Sequence, residues 1–98
     1  MGFPRYRECL RLVPDNFGAL TRLGILELSR RRFPEAIAYF QAAIRAKPDS
    51  VSARMYLGGA LLQEQRRAEA QEQFRAVLRL EPGNTEARRL LQEAGGTN

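Results

Sequence analysis

The segment Ala46–Leu62, AKPDSVSARMYLGGALL, stops one helical pattern and starts another. Its Pro48-Asp49-Ser50 cluster ends an apolar run, because proline lacks a donor N–H and pushes the preceding residue out of the helical region. The run that follows holds Gly58 and Gly59 side by side in its middle. Each glycine costs a helix about 1 kcal/mol relative to alanine. Something other than helix propensity keeps them there.

The rest of the chain supplies a reason. Pro14, Pro48 and Pro82 stand in RLVPDN, RAKPDS and RLEPGN, 34 residues apart each time. Equal spacing along a whole chain is the mark of stacked structural repeats. Other columns share the offset: Gly24 with Gly58; Leu23 with Leu57 and Leu91; Glu35-Ala36 with Glu69-Ala70; Tyr6 with Phe40 and Phe74; Leu10 with Ile44 and Leu78. Arg11, Arg45 and Arg79 form a polar column.

Within a unit the apolar spacing is helical. Leu20, Leu23, Leu26 and Leu28 form one stripe, and Ala36, Phe40, Ala43 and Ile44 another, with SRRRFP between them. Pro34 suits a first helical turn, where its missing N–H costs nothing. The matching break in the next unit, QEQRRA, is placed from the offset. After each unit-ending proline, Asp15 or Asn16, Asp49 or Ser50, and Asn84 or Thr85 offer side-chain caps. The expectation is five helices, Pro4–Leu12, Phe17–Ser29, Pro34–Ala46, Val51–Gln63 and Arg67–Leu80, and a shorter terminal one over Thr85–Ala94. The fold class is all-α, a solenoid of antiparallel helix pairs in one domain, 1–98. Residues 3–14 are the second helix of a partial unit, 17–50 and 51–84 are full units, 85–94 is a capping helix, and 95–98 is a tail expected to fray. Gly24 and Gly58 then allow close backbone approach, opposite Ala36, Ala43 and Ala70. Gly59 has no such counterpart, since Ile25 holds its place in the first unit.

Composition narrows the chemistry. The 98 residues include no histidine and a single cysteine, Cys9. A structural zinc site and a nucleophile–histidine pair are thereby excluded. No apolar run approaches the ~20 residues that cross a bilayer, and MGFPRYRECL has no signal-peptide core. The expectation is a cytoplasmic protein without membrane insertion. Carboxylates such as Glu69 and Glu72 lie on a helix surface, and Gly58-Gly59 is mid-helix without the lysine of a phosphate loop. No catalytic residue, cofactor or metal is expected, and the chain does not read as an enzyme.

Taken together, the Leu-Gly pairs (Leu23-Gly24, Leu57-Gly58), the Glu-Ala pairs (Glu35-Ala36, Glu69-Ala70), Phe40 and Phe74, and Pro48 and Pro82, at this period, resemble the tetratricopeptide repeat family. The likeness covers nearly the whole chain. It departs at Arg31 and Gln65, where a turn glycine is usual, at Arg67, where Phe33 keeps the usual aromatic, and at Glu27, a usually aromatic core position that is Leu61 in the second unit. These departures suggest a looser turn between paired helices.

The resemblance implies a right-handed superhelix that binds a protein or peptide on a concave groove lined by the first helix of each unit. Residues off the core stripe are Thr21, Arg22, Ile25, Leu28 and Ser29, then Ser52, Met55, Tyr56, Gly59, Leu62 and Gln63, with Glu86, Arg89 and Glu93 on the last helix. Met55 and Tyr56 offer adaptable and amphipathic contact. Alternatively, Ile25, Leu28 and Leu62 complete packing between repeats. Gly59, beside Met55 and Leu62, leaves room for a partner's side chain or a neighbouring helix. Some family members hold a partner's C-terminal carboxylate with lysines and asparagines. Thr21, Ile25 and Tyr56 stand at those places here, so chaperone-tail binding of that kind is not expected.

The net charge is +5, and all but one of the 16 basic residues are arginine. Arg7, Arg11, Arg45, Arg75 and Arg79 form a ladder on the convex side, and Arg30, Arg31, Arg32, Arg66 and Arg67 follow the turns. The interspersed carboxylates favour a solvated face. The alternative is a nucleic-acid-binding module using the arginine ladder. At the N-terminal side, Tyr6, Cys9 and Leu10 present an apolar face. Three readings stand: a removed upstream segment, a homodimer through these residues, or a helix that folds back on the next pair.

Overall fold

The computed structural model describes residues 16–96, and the helix expected over Pro4–Leu12, with Tyr6, Cys9 and Leu10, lies outside them. The described residues form five α-helices: α1 (Phe17–Ser29), α2 (Phe33–Ala46), α3 (Val51–Gln63), α4 (Arg67–Leu80) and α5 (Thr85–Glu93). Each packs on the next, and α1 also touches α3 lightly. The odd-numbered helices thus line up on one side and the even-numbered ones on the other. The 34-residue period is structural, and the chain is an all-α helical-repeat solenoid.

The period is visible in the caps. Asn16, Ser50 and Asn84 each accept a hydrogen bond from the backbone N–H three residues on, at 2.8, 3.2 and 2.8 Å. Of each pair of candidates the structure uses the residue directly before the helix. The even-numbered helices have no side-chain cap. Pro34 opens α2, while Glu35 and Glu69 place negative charge at the positive dipole ends and Arg45 and Arg79 do the reverse at the last turns. Before Pro48 and Pro82, Lys47 and Glu81 take extended backbone (φ −145° and −136°), which ends α2 and α4.

The turns between paired helices are not loose. After α1, the Arg31 N–H bonds the Leu28 carbonyl and the Arg32 N–H bonds the Glu27 carbonyl, at 2.9 and 2.8 Å. After α3, Gln65 to Leu62 and Arg66 to Leu61 repeat this at 3.0 and 2.9 Å. Gly95 and Gly96 repeat it again after α5. This double bond closes a helix only with a left-handed residue at its corner. Gly95 adopts φ 87° freely, whereas Arg31 (φ 61°) and Gln65 (φ 64°) do so against their side chains. The missing glycines change the strain of the turn and leave its geometry intact.

The core runs between the two layers. Phe40 and Phe74 are fully buried among Ala36, Ile37, Leu57, Ala60, Leu61, Ala70 and Leu91. A smaller cluster, Leu20, Ala43 and Ala53, continues it toward the N-terminal side. Gly24 and Gly58 serve close approach, but their opposite numbers are rings, not the alanines expected. A Cβ at Gly24 would lie 2.5 Å from Phe40 Cε1, and one at Gly58 2.5 Å from Phe74 Cε1. The α1 stripe is also corrected. Leu20, Leu23, Gly24 and Glu27 are buried, while Leu26 and Leu28 are half-buried. A true 3.6-residue period from Leu20 leads to Glu27, not to Leu26. Glu27 is 2% exposed, and its Oε1 has no hydrogen-bond partner.

Candidate functional site

Among the described residues, the face made by α1, α3 and α5 carries two of the three large apolar side chains that remain exposed, Ile25 and Tyr56. Tyr56 is held in place. Its ring stacks on Phe40 of α2, centroids 5.4 Å apart and planes 7° apart. One face of the ring is therefore anchored to the core, and the side chain stands as a rigid wall. A hollow lies on each side of it.

The first hollow, about 330 Å³, is lined by Leu28, Arg31, Phe33, Tyr56, Gly59, Ala60 and Gln63. Gly59 explains much of its depth, since a Cβ there would meet nothing within 4 Å. Gly58 and Gly59 are thus adjacent glycines with opposite reasons: one is pressed against a ring, the other faces open space. Arg31 supplies the only charge among the lining residues, and its guanidinium carbon lies 6.0 Å from the Phe33 ring centroid.

The second hollow, about 410 Å³, is lined by Val51, Ser52, Met55, Tyr56, Asn84, Glu86 and Leu90. Glu86 is its only charged residue. On the same helix Arg89 hydrogen-bonds Glu93 and approaches Glu86 only to 3.7 Å.

The expected groove residues therefore divide. Leu28, Tyr56, Gly59 and Gln63 meet at the first hollow, and Ser52, Met55, Tyr56 and Glu86 at the second. Leu28 and Met55 also pack on the core, and Leu62 does so without lining either hollow, as the packing reading of it anticipates. Thr21 turns its hydroxyl to the Phe17 carbonyl at 2.8 Å, and Ser29 to the Leu26 carbonyl at 2.7 Å. Arg22 and Arg89 are exposed and line neither hollow. Sequence reasoning missed Phe33, Ala60, Val51, Asn84 and Leu90, and placed Arg31 only at a turn. The period itself points to Leu90, which stands 34 residues after Tyr56.

On the opposite side, a polar depression of about 460 Å³ is lined by Arg54, Glu72, Gln73, Arg75, Ala76 and Arg79. Arg54 is tied down there, donating to the Pro48 carbonyl at 2.9 Å and to Gln73 Oε1 at 3.0 Å. Arg88 repeats the first contact on the Pro82 carbonyl at 3.0 Å. These arginines lock the turns between units. At the start of α4, Arg66 and Glu69 form a two-point ion pair, both contacts 2.7 Å, which pulls the Glu69 carboxyl below its ordinary range.

A solenoid of paired helices with a repeated cap and a repeated turn defines a helical-repeat protein. The tetratricopeptide repeat family model matches residues 4–51 and 21–85, and the chain belongs to that family. No curated protein sequence matches the chain significantly. Among solved structures, the first TPR of Spaghetti (RPAP3), bound to the HSP90 peptide SRMEEVD, is similar with TM-score 0.82 and 24% identity, over 92% of this chain and 71% of that one. A MamA structure (AMB-1) gives TM-score 0.83 and 26% identity, over 91% of this chain and 49% of that one. The TPR2B domain of yeast Sti1, in its pHsp70 complex, gives 0.78 and 24%, over 92% and 77%. The chain thus spans about half the length of MamA. No helix among the described residues is long and apolar enough to cross a membrane.

Proposed function

We propose that this chain is a cytoplasmic, non-enzymatic adaptor or assembly factor that binds a peptide or protein segment on the face of α1, α3 and α5. The observation that carries the reading is the pair of hollows beside Tyr56, apolar in most of their lining and built on rigid helices. Clefts of this size, apolar with a few placed polar groups, suit side chains of a docked segment. Peptide complexes of RPAP3 and Sti1 repeats support the class of ligand. The chaperone tail itself is not part of the proposal, because Thr21, Ile25 and Tyr56 offer no cation for a terminal carboxylate.

The test is binding measured with groove variants. Gly59→Leu fills the first hollow and Met55→Arg puts a long cationic side chain into the second, each at a half-buried helix position. Both should abolish partner binding while circular dichroism stays helical. Unchanged binding by both variants would sink the proposal. A second reading rests on the depression of Arg54, Arg75 and Arg79, which would take the phosphates of a nucleic acid. Glu72 in the same lining opposes it. Affinity for nucleic acid that falls steeply with salt and is lost in Arg75→Ala/Arg79→Ala would favour that reading.

A further inference from the structure

We infer that the hollow between α3 and α5 is a subsite for a basic side chain, a lysine or arginine of the bound segment; this rests on the groove reading above. The lining has two parts. Met55, Leu90 and Val51 give an aliphatic surface, and Tyr56 gives a wall fixed by its stack on Phe40. Glu86 then places one carboxyl group at the edge. An apolar chamber with one anionic group suits a long aliphatic stem that ends in a cation, since such side chains bury their stems and keep the head at a polar edge.

Glu86 is available for this role. Among the described residues its one ion-pair partner, Arg89, lies at 3.7 Å with both side chains more than half exposed, and Arg89 makes its hydrogen bond to Glu93 instead. The groove face of α5 therefore carries two carboxyl groups and one guanidinium. That leaves a local negative excess on a chain whose net charge is +5. On the other side of Tyr56 the sign reverses, because Arg31 is the only charge lining the first hollow. The two hollows thus fix a direction. A segment seats its basic residue against α5 and its apolar or acidic neighbour beside Gly59 and Arg31.

The test selects random linear peptides displayed on phage against the whole chain, then measures the best peptide by fluorescence anisotropy. The selected peptides should share a lysine or arginine at one position beside a large apolar residue. Glu86→Gln should weaken the best peptide roughly fivefold, as expected for one partly exposed ion pair. Glu86→Lys should switch the selected residue to aspartate or glutamate. The selected peptide with its basic residue replaced by glutamate should bind more weakly than the selected one. Peptides that lose binding in Gly59→Leu and Met55→Arg, yet show no basic preference and ignore Glu86→Gln, would overturn the subsite and leave the groove standing. Tight binding of that glutamate-substituted peptide that improves in Glu86→Gln would overturn it too. No enriched peptide, or peptides indifferent to Gly59→Leu and Met55→Arg, would remove the groove and the subsite together.

Discussion

Replacing Glu27 by leucine should make the protein markedly more stable. Glu27 is 2% exposed on the core side of α1, and its Oε1 has no hydrogen-bond partner. One unit later the same position is Leu61, 1% exposed within the main core cluster. The site therefore has the shape of an apolar position filled by a carboxyl group. An unsatisfied buried polar group costs about 1–3 kcal/mol, and more if charged. Leucine adds buried apolar surface, although the stem of Glu27 already supplies part of it. The two effects sum to about 2–4 kcal/mol, against a total of about 5–15 kcal/mol for a domain of this size. In urea that gain should raise the unfolding midpoint by about 1–2 M at unchanged slope. Glu27→Ala is the control: it removes the carboxyl group but leaves a cavity, so it should gain less than leucine or lose stability. An unchanged or lowered midpoint for Glu27→Leu would refute the reasoning, because it would mean that the carboxyl group is satisfied where it stands.

The two adjacent glycines should respond in opposite directions to alanine. Gly58→Ala puts a Cβ 2.5 Å from Phe74 Cε1 and should cost about 1–2 kcal/mol after helix propensity is credited, whereas Gly59→Ala should gain up to about 1 kcal/mol; thermal unfolding of the pair checks both signs. Gln65→Gly should gain about 0.5 kcal/mol by relieving the left-handed corner at φ 64°, net of glycine's own entropy, read from the same melts. The Arg66 hydrogen bond lowers the Glu69 pKa, so its contribution is present above the unfolded carboxyl range and is lost as pH falls through the lower folded value. A carbon-detected NMR titration should therefore place the Glu69 midpoint below that of an unpaired glutamate, and Arg66→Ala should return it.

Much of the fold was legible because its signals are local and repeat. Pro14, Pro48 and Pro82 set the period, and each capping residue directly precedes its helix. Boundaries followed to within one residue, as at Phe33 for α2 and Glu93 for α5. What stayed hidden depends on contacts across helices. Sequence spacing put Gly24 and Gly58 at a close approach but could not say that the neighbours are the Phe40 and Phe74 rings, because a column fixes a position and not a partner. The turn glycine's absence at Arg31 and Gln65 pointed to a changed turn, while the backbone absorbs it as positive φ. Among the residues that line the two hollows, Tyr56, Met55 and Gly59 were readable from helical geometry. Phe33 and Asn84 were not, since they enter the hollows from the first turn of α2 and from the cap of α5. Leu62 shows the limit of a helical wheel: it sits beside groove residues in angle yet packs on the core.

The central claim is that this solenoid binds its partner on the α1, α3 and α5 face. It is tested most directly by amide chemical-shift changes when a selected peptide is titrated into the isotopically labelled chain. The account predicts that the largest changes fall at Met55, Tyr56 and Gly59, with Ile25, Glu86 and Leu90 around them. Changes centred instead on Arg75 and Arg79 of α4, or spread evenly over all five helices, would contradict it.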